Sequence, residues 1–264
     1  MTTKQEFGYK LKSFQLEGYG KIDYAHWLNP FSYSMIVSSS QLNFFKKFIN
    51  NGDFVIDIGA NIGDTGLPMG LAAGAGGTVL ALEPNPHLYK ILKVNSTLNK
   101  DKLNLIPLPY AATKEDGEFY YNSSEATFNN GGISKLKSKF HGKYELEEKI
   151  NGVNLDRLLR SEYSSLLSSL TCIKVDTEGY DKDILLSLRS IIDEFKPSIM
   201  FEVFKKLNKE DRFELYDLFK NSGYDLFKFD DFDLNASTKQ IEREEMNNWR
   251  HFEVYATYEK TSTV

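Results

Sequence analysis

A glycine-bearing run between a predicted strand and a predicted helix carries the clearest chemical signal in the sequence. It reads Asp57-Ile58-Gly59-Ala60-Asn61-Ile62-Gly63-Asp64. Gly59 and Gly63 permit a tight turn and allow a ligand to approach the backbone closely. The helix that follows would present free amide groups to that ligand. The run therefore predicts a pocket for a nucleotide-like cofactor.

A carboxylate follows the next predicted strand along the chain. Glu83 ends the strand predicted over 78–82, and ligands of open parallel sheets bind beyond the carboxyl ends of the strands. A carboxylate fixed at that point can accept hydrogen bonds from both hydroxyl groups of a ribose. Glu83 is therefore the predicted ribose acceptor, and a solvated acid at a strand end is the alternative.

Two classes of cofactor use this layout, and the positions of the glycines distinguish them. A dinucleotide site has the pattern G-x-G-x-x-G, but its second and third glycine positions, counted from Gly59, hold Asn61 and Asp64. Asp64 would repel a pyrophosphate, whereas Asp57 and Asp64 would attract the sulfonium and ammonium groups of S-adenosylmethionine. The charges therefore favour methyl transfer over hydride transfer.

Two further acids, Asp176 and Glu178, end a strand predicted over 170–176 or follow it closely. Residues two apart on an extended segment face the same side, so both carboxylates are predicted to point into one cleft. Either could take the proton of an acceptor hydroxyl group. The pair could instead bind a divalent cation, Mg²⁺ or Mn²⁺, that lowers the pKa of the hydroxyl. Helix capping, or pairing with Lys174 or Lys182, is the structural alternative.

The elements that must position these residues alternate between strands and helices. The predicted order is strand 54–58, a helix from about residue 63, strand 78–82, helix 86–98, strand 103–108, strand 170–176, helix 180–192, strand 198–203, helix 208–221, and strands 224–229 and 252–258. This alternation predicts right-handed crossovers and a doubly wound, mostly parallel α/β sheet. An amphipathic helix over 41–49, with Ser40 as its N-cap, is predicted before the first strand.

Two segments lack a clear period. Residues 7–31 mix aromatic, glycine and polar residues and are interpreted as part of an N-terminal cap over 1–50. The remainder, 51–264, is predicted to be one catalytic domain. Within it, residues 120–152 are longer than an ordinary connection and are predicted to be a loop insertion, either functional or merely tolerated. Its glycine-bearing part, Asn129-Asn130-Gly131-Gly132, could cover a bound acceptor or form an ordinary turn.

The composition excludes some classes of protein. A net charge of −5 over 264 residues argues against non-specific binding of nucleic acid and favours small or neutral acceptors. The single cysteine, Cys172, cannot form an internal disulfide, and the scattered histidines His87, His141 and His251 are predicted to be structural. We expect a soluble, cytoplasmic protein, because neither a signal peptide nor a membrane-spanning stretch is recognisable. The aromatic-rich N-terminal extension could pack on a second subunit.

Several motifs together resemble the FkbM family of methyltransferases. The similarity covers roughly residues 54–203. It rests on Val55 to Gly63, on Leu82 to Pro86 with Asn95 and Asn99 downstream, on Ala111-Ala112, and on Ile173 to Gly179. The resemblance implies a class I methyltransferase fold, with a mostly parallel seven-stranded sheet whose last strand is antiparallel. It also implies O-methylation of hydroxyl groups on sugars, glycans or natural products.

The resemblance assigns roles to residues at matching positions. Those implied to hold the methionine end of S-adenosylmethionine are Asp57, Gly59, Ala60, Asn61, Gly63 and Asp64. Those implied to lie at its ribose are Glu83, Pro84 and Asn85, and those implied to lie near its adenine are Ala111 and Ala112. The catalytic candidates remain Asp176 and Glu178.

Other functions compete with this interpretation. A nicotinamide-dependent oxidoreductase shares the predicted fold, but it would need the glycines that Asn61 and Asp64 replace. A non-catalytic protein that keeps a cofactor pocket is a second alternative. Methylation of nucleic-acid bases is disfavoured, because the chain is acidic and lacks an Asn/Asp-Pro-Pro-Tyr/Phe segment. Methylation of RNA ribose stays open.

Overall fold

A computed structural model describes residues 6–33, 35–137 and 142–258. Its strands are β1 (Tyr9–Leu16), β2 (Gly20–Trp27), β3 (Phe54–Ile58), β4 (Thr78–Leu82), β5 (Leu105–Leu108), β6 (Ala111–Thr113), β7 (Gly117–Ser123), β8 (Gly132–Ser134), β9 (Tyr144–Glu145), β10 (Ile150–Asn154), β11 (Leu170–Val175), β12 (Ser198–Val203), β13 (Asp225–Phe229), β14 (Thr238–Gln240) and β15 (Phe252–Thr257).

The α-helices are α1 (Ser39–Phe45), α2 (Gly66–Ala73), α3 (Pro86–Asn95), α4 (Leu155–Glu162), α5 (Asp181–Ser187), α6 (Arg189–Phe195) and α7 (Lys209–Asn221). Two 3₁₀ helices cover Ser164–Ser169 and Arg243–Asn247. Across the ranges that the structure describes, no helix combines the length and apolar character needed to cross a membrane.

The central sheet has eight strands in the order β14-β13-β15-β12-β11-β3-β4-β5. Strands β12, β11, β3, β4 and β5 run parallel to one another. The last strand, β15, is antiparallel to both of its neighbours, β12 and β13. This topology confirms the predicted doubly wound, Rossmann-like α/β sheet with an antiparallel last strand. The short strand β14 extends the implied seven strands to eight by pairing with β13 at the edge.

The sheet separates two hydrophobic cores, because successive strand residues point to opposite faces. In β3, Ile56 belongs to the core that helices α4 to α7 cover. Its neighbour Val55 belongs to the core that α1, α2, α3 and the N-terminal hairpin cover. All five residues of β3 are buried, which explains why the strand is apolar in the sequence except for Asp57.

Strand boundaries agree with the predictions more closely than helix boundaries. Strands β3, β4 and β12 have the predicted bounds. The helix predicted from about residue 63 begins at Gly66, and the helix predicted over 180–192 is divided at Leu188. Helix α1 ends at Phe45, and its N-cap is Ser38, whose side chain accepts a hydrogen bond from the Gln41 amide. The predicted N-cap, Ser40, lies inside the helix.

The N-terminal segment predicted to be irregular forms a hairpin. Strands β1 and β2 pair antiparallel along their whole length, and Tyr24 and Trp27 are buried in the core that contains Val55. The period-2 pattern is hard to recognise in the sequence, because the buried face shifts between Tyr24 and Ala25, which are both fully buried. The hairpin therefore shares a core with the central sheet.

Asn95 fastens this hairpin to the glycine-bearing turn. Its Oδ1 accepts a hydrogen bond from the Ala25 amide at 2.7 Å, and its Nδ2 donates to the carbonyl oxygens of Ala25 at 3.1 Å and Ile62 at 2.7 Å. All three hydrogen bonds are buried. One amide side chain thus satisfies backbone groups from two separate segments.

Replacing Asn95 with alanine is expected to lower the free energy of unfolding by about 2–4 kcal/mol. The variant loses three buried hydrogen bonds to Ala25 and Ile62, each of which contributes about 0.5–1.5 kcal/mol net. Urea denaturation of the two proteins measures the difference. Asn104→Ala is the matched control, since it removes only an exposed hydrogen bond to Thr78. Equal stabilities for Asn95→Ala and the control would contradict the expectation.

The loop predicted over 120–152 is, in the described residues, part of a second sheet. This sheet has the order β6-β10-β7-β8, and β9 pairs with β7. Phe119, Tyr121, Ile133 and Ile150 fill a small core of their own. The prediction of a loop was wrong for these residues, because the many Ser, Asn and Gly residues of the segment conceal its short strands.

Candidate active site

A cavity of about 720 Å³ lies at the carboxyl edge of the parallel strands, within the ordinary size range of small-molecule sites. The predicted site residues that line it are Gly59, Asn61, Asp64, Glu83, Pro84, Ala111, Ala112, Asp176 and Glu178. Those that lie behind the lining, all of them buried, are Asp57, Ala60, Gly63 and Asn85. The structure therefore brings residues from three strand ends and from the second sheet to one cavity.

A buried lysine on β11 lies next to the end of β3. The sequence suggested this lysine only as a partner for Asp176. Lys174 is in register with Asp57 on the neighbouring strand. Its Nζ lies 3.5 Å from Asp57 Oδ1 and 3.4 Å from Asp176 Oδ2. Burial alone would lower the pKa of Lys174, but the carboxylates of Asp57, Asp176 and Asp64 raise it above its ordinary value. Lys174 is therefore a fixed cation.

Asp57 lies behind the residues that line the cavity and holds two of them in place. Besides facing Lys174, it accepts a hydrogen bond from Thr65 Oγ1 at 2.9 Å through its second oxygen. It is fully buried and does not line the cavity. Asp64 does line the cavity, and burial raises its pKa to about 6 against the attraction of Lys174. Of the two acids, Asp64 is the one that can face a ligand.

The glycines of the turn serve the packing of the chain itself. Gly59 has φ +76°, and a Cβ atom on it would lie 1.8 Å from the backbone oxygen of Asp176. Gly63 has φ +91°, and a Cβ atom there would lie 3.1 Å from the Leu92 side chain. The segment that carries Asp176 therefore passes directly over Gly59, which also lines the cavity.

Glu83 is held rigidly at the end of β4. One of its carboxylate oxygens accepts a hydrogen bond from the Asn61 amide at 2.9 Å, and the other accepts one from the Asn85 amide at 2.8 Å. Burial raises the pKa of Glu83 to about 8, and these two hydrogen bonds oppose that shift. Each oxygen keeps lone-pair capacity for a second donor, so the carboxylate can also bind a ligand in the cavity.

Asn85 connects the site to the second sheet. Its Oδ1 accepts a hydrogen bond from the His87 amide at 3.0 Å and so caps α3. Its Nδ2 donates to the Phe128 carbonyl oxygen at 2.8 Å and to the Tyr121 hydroxyl at 3.3 Å. This side chain therefore positions the cavity wall without lining the cavity.

The segment after β11 is bent, contrary to the extended conformation that the sequence interpretation assumed. Glu178 has φ +56°, an uncommon left-handed conformation for a residue with a side chain. Asp176 and Glu178 both line the cavity despite this bend. Burial, and then the charge of Asp176, raises the pKa of Glu178.

Asp181, which the sequence interpretation did not single out, shapes this bend. Its Oδ2 accepts hydrogen bonds from Thr177 Oγ1 at 2.9 Å and from the amides of Thr177 and Gly179 at 3.3 Å. The side chain is buried at the start of α5. Burial, and then the charge of Asp176, raises the pKa of Asp181 from 3.8 to about 7, against its hydrogen bonds.

We expect the Asp181 carboxyl to make stability decrease with increasing pH. Its pKa is higher in the folded protein, which therefore binds more protons than the unfolded chain between pH 3.8 and about pH 7. Asp181→Asn should make the pH dependence of the unfolding free energy shallower, by up to about 1.4 kcal/mol per pH unit. Urea denaturation at several pH values measures this slope. An unchanged slope would contradict the assignment, and Asp183→Asn, an exposed acid on the same helix, is the control.

The histidines occupy different surroundings. His87 stacks on Phe128, and His251 forms a hydrogen bond with the Glu202 carboxylate. His141 lies outside the described residues. None of the histidines in the described ranges lines the cavity.

Much of the remaining lining comes from segments that the sequence did not assign to the site. It includes Tyr24, Tyr33, Met35, Ile36 and Gln41 from the N-terminal region, and Tyr110, Tyr121, Asp231 and Asp233 from elsewhere. The run from Asn129 to Gly132, for which the sequence left an acceptor cover and an ordinary turn open, also lines the cavity. No short motif marks the lining residues outside this run, because folding brings them together from distant parts of the chain.

Two buried polar atoms in the lining have no hydrogen-bond partner among the described residues. These are the hydroxyl oxygen of Tyr24 and Oε1 of Gln41. Tyr24 is fully buried. Buried polar groups in folded proteins are nearly always paired, so these two atoms indicate where a ligand would donate or accept hydrogen bonds.

Acidic side chains predominate among the titratable groups that line the cavity. The acidic residues that line it are Asp64, Glu83, Asp176, Glu178, Asp231 and Asp233. Among the described lining residues, Lys174 is the only lysine or arginine. Such a cavity attracts a cation and repels a phosphate.

Comparison with known proteins identifies one matching family. The sequence matches the family described as the methyltransferase FkbM domain over residues 57–226. The structure is similar to methyltransferase FkbM from Methylobacillus flagellatus KT, with 16% identity and a TM-score of 0.46, covering 79% of this chain and 44% of that chain. It is also similar to an S-adenosylmethionine-dependent O-methyltransferase from Thermotoga maritima, with 12% identity and a TM-score of 0.43, covering 96% and 79%.

The chain thus spans less than half the length of the Methylobacillus protein. No curated protein sequence matches it. The family match nevertheless covers most of the chain, including the turn, the end of β4 and the segment after β11. The chain belongs to the FkbM family of methyltransferases.

Proposed function

We propose that the protein transfers a methyl group from S-adenosylmethionine to a hydroxyl group of a sugar, a glycan or a small natural product. The observation that carries this proposal is the acid-lined cavity at the carboxyl edge of the sheet, in which Lys174 is the only lysine or arginine among the described lining residues. A cofactor with a sulfonium and an ammonium group suits these charges, whereas a dinucleotide does not.

The residues of this chain fit the cofactor by their chemistry. Glu83 would accept hydrogen bonds from the ribose hydroxyl groups, since two backbone amides already fix its orientation. Asp64 and the unpaired hydroxyl of Tyr24 would hold the charged methionine end. Ala111 and Ala112 would lie beside the adenine. When bound, S-adenosylmethionine supplies a methyl group on a positively charged sulfur, which an oxygen nucleophile can displace.

Glu178 is the residue that we propose as the general base. Burial raises its pKa, which makes its carboxylate a stronger proton acceptor, and general bases act best with a pKa near the working pH. Its left-handed backbone conformation, at φ +56°, holds a lining residue in a sparsely populated state, which is frequent at functional sites. Asp176 would act electrostatically. Lys174 lies 3.4 Å from it and opposes a divalent cation at this pair of acids.

The acceptor would bind between the N-terminal segment and the second sheet. Tyr33 and Ile36 both line the cavity, yet Tyr33 is 89% exposed and Ile36 is 72% exposed. Exposed apolar groups at a cavity mouth are typical of ligand sites. Asn129 and Asn130 line the cavity as well and offer amide groups. This mixture suits a ligand with an apolar face and several hydroxyl groups, such as a sugar ring.

Incubation with S-adenosylmethionine labelled in its methyl group tests the proposal. The purified protein is offered a panel of monosaccharides, oligosaccharides and hydroxylated natural products. We expect label on a hydroxyl oxygen of at least one acceptor, located by mass spectrometry. Label transferred only to nitrogen or carbon acceptors would overturn O-methylation. An absence of any transfer, in a protein that binds the cofactor, would favour the non-catalytic alternative.

A further inference from the structure

We propose that Glu202, His251 and Glu253 form a binding site for a divalent transition-metal ion beside the candidate active site. One ligand atom from each of these three side chains lies within 4.8 Å of the other two. Ligands of a single ion, each about 2.1 Å from it, lie roughly 3–4 Å apart, so small side-chain rotations are sufficient. This site is separate from the pair Asp176 and Glu178 that the sequence suggested for a cation.

Strand pairing creates the cluster. Glu202 on β12 and Glu253 on β15 are direct partners in the antiparallel ladder, so their side chains lie next to each other on one face of the sheet. His251 immediately precedes β15, and its hydrogen bond with Glu202 places its ring beside this pair. The pairs Asp57 with Lys174, Lys174 with Met200 and Met200 with Tyr255 extend the same face across the sheet. The cluster is therefore on the side of the sheet that carries Lys174.

Glu202 has an unsatisfied atom at this point. Its side chain is 7% exposed, and its Oε1 forms a hydrogen bond with His251 Nε2. Its Oε2 is buried and has no hydrogen-bond partner among the described residues. A buried carboxylate oxygen without a donor is costly, and a bound cation would supply the missing partner.

The charges around the cluster also favour a cation. Two carboxylates directly opposite each other in a sheet repel, and Asp176, Asp181 and Glu178 add negative potential at Glu202. In the part of the chain that the structure describes, neither Glu202 nor Glu253 forms an ion pair with a lysine or arginine. Lys174 lies close enough to attract Glu253, but its ammonium group is already shared by Asp57 and Asp176.

One imidazole nitrogen and two carboxylate oxygens form a mixed ligand set. Imidazole suits transition metals, and carboxylates suit harder ions such as Mn²⁺, so we expect Mn²⁺ or Zn²⁺ to bind more tightly than Mg²⁺. The His251 side chain is 41% exposed, which leaves a path for the ion and positions for water.

Titration of the EDTA-treated, dialysed protein with MnCl₂ tests the site, with free Mn²⁺ followed by electron paramagnetic resonance. We expect one ion bound per chain, displaced by ZnCl₂. His251→Ala and Glu253→Gln should weaken binding by about tenfold or more, since even outer-shell changes cost about 10–100-fold. Glu162→Gln, an exposed acid on α4, should bind as the wild type does. An absence of Mn²⁺ and Zn²⁺ binding, or equal binding by all variants, would overturn the site.

A stability measurement distinguishes the loss of a metal-binding side chain from the unfolding of the variant. In EDTA, Glu202→Gln should be at least as stable as the wild type, because it removes a buried carboxylate. Added Mn²⁺ should raise the Tm of the wild type but not that of Glu202→Gln. An equal rise in both proteins would contradict the proposal. Neither measurement needs cofactor or acceptor, so the outcome is independent of the proposed methyl transfer.

Discussion

Replacing Glu178 with glutamine is expected to lower the rate of methyl transfer by about 10²–10⁴-fold, the usual contribution of a general base. The glutamine keeps the size of the side chain but cannot accept the hydroxyl proton. Affinity for S-adenosylhomocysteine should be nearly unchanged, because Glu83, Asp64 and Tyr24 hold the cofactor in this account. Single-turnover transfer from labelled cofactor measures the chemical step directly.

Two control variants distinguish a general base from a carboxylate that acts only through its charge. Asp183→Asn removes an exposed neighbouring acid that does not line the cavity, and it should transfer methyl groups at the wild-type rate. Asp176→Asn should retain more activity than Glu178→Gln, because the carboxylate beside Lys174 acts only through its charge. Full activity of Glu178→Gln would exclude Glu178 as the base, and loss of activity in Asp176→Asn alone would assign that role to Asp176.

Replacing Gly59 with alanine is expected to lower the free energy of unfolding by about 2–5 kcal/mol. A left-handed conformation costs an alanine about 1–2 kcal/mol, and overpacking typically costs about 1–3 kcal/mol. Both costs apply here, because Gly59 has φ +76° and its added methyl group would overlap the backbone oxygen of Asp176. Urea denaturation measures the loss.

Gly76→Ala is the matched control for this substitution. Gly76 lies in the turn before β4, does not adopt a left-handed conformation, and has no atoms within 4 Å of an added Cβ. Its alanine variant should differ little from the wild type. Gly59→Ala should also push away the segment that carries Asp176 and so impair methyl transfer. Similar stabilities for the two variants would show that the segment carrying Asp176 can move away from Gly59 without cost.

Local sequence patterns were sufficient for the central sheet and for part of the site. Strand β3 is apolar except for Asp57 because it is buried on both faces, and Glu83 follows an equally clear strand. The position of each strand end at one edge of the sheet then brings Asp64, Glu83 and Asp176 together. These predictions depended on neighbouring residues and on a general rule of sheet topology.

Long-range packing determined what the sequence could not show. Strand β2 of the hairpin packs against α3, and the hydrogen bonds of Asn95 to Ala25 join residues 70 positions apart. Tyr24 reaches the cavity only through that packing. Glu202 and His251 are 49 positions apart, and only the antiparallel pairing of β12 with β15 makes them neighbours. No local periodicity encodes such contacts.

Calorimetric titration of the purified protein with S-adenosylhomocysteine and, separately, with NAD tests the central claim most directly. We predict micromolar binding of S-adenosylhomocysteine, little binding of NAD, and weaker binding of S-adenosylhomocysteine by Glu83→Gln, since one hydrogen bond to a charged group contributes about 1.5–3 kcal/mol. Tight binding of NAD, or an absence of S-adenosylhomocysteine binding in the folded wild type, would contradict the assignment of this cavity to S-adenosylmethionine.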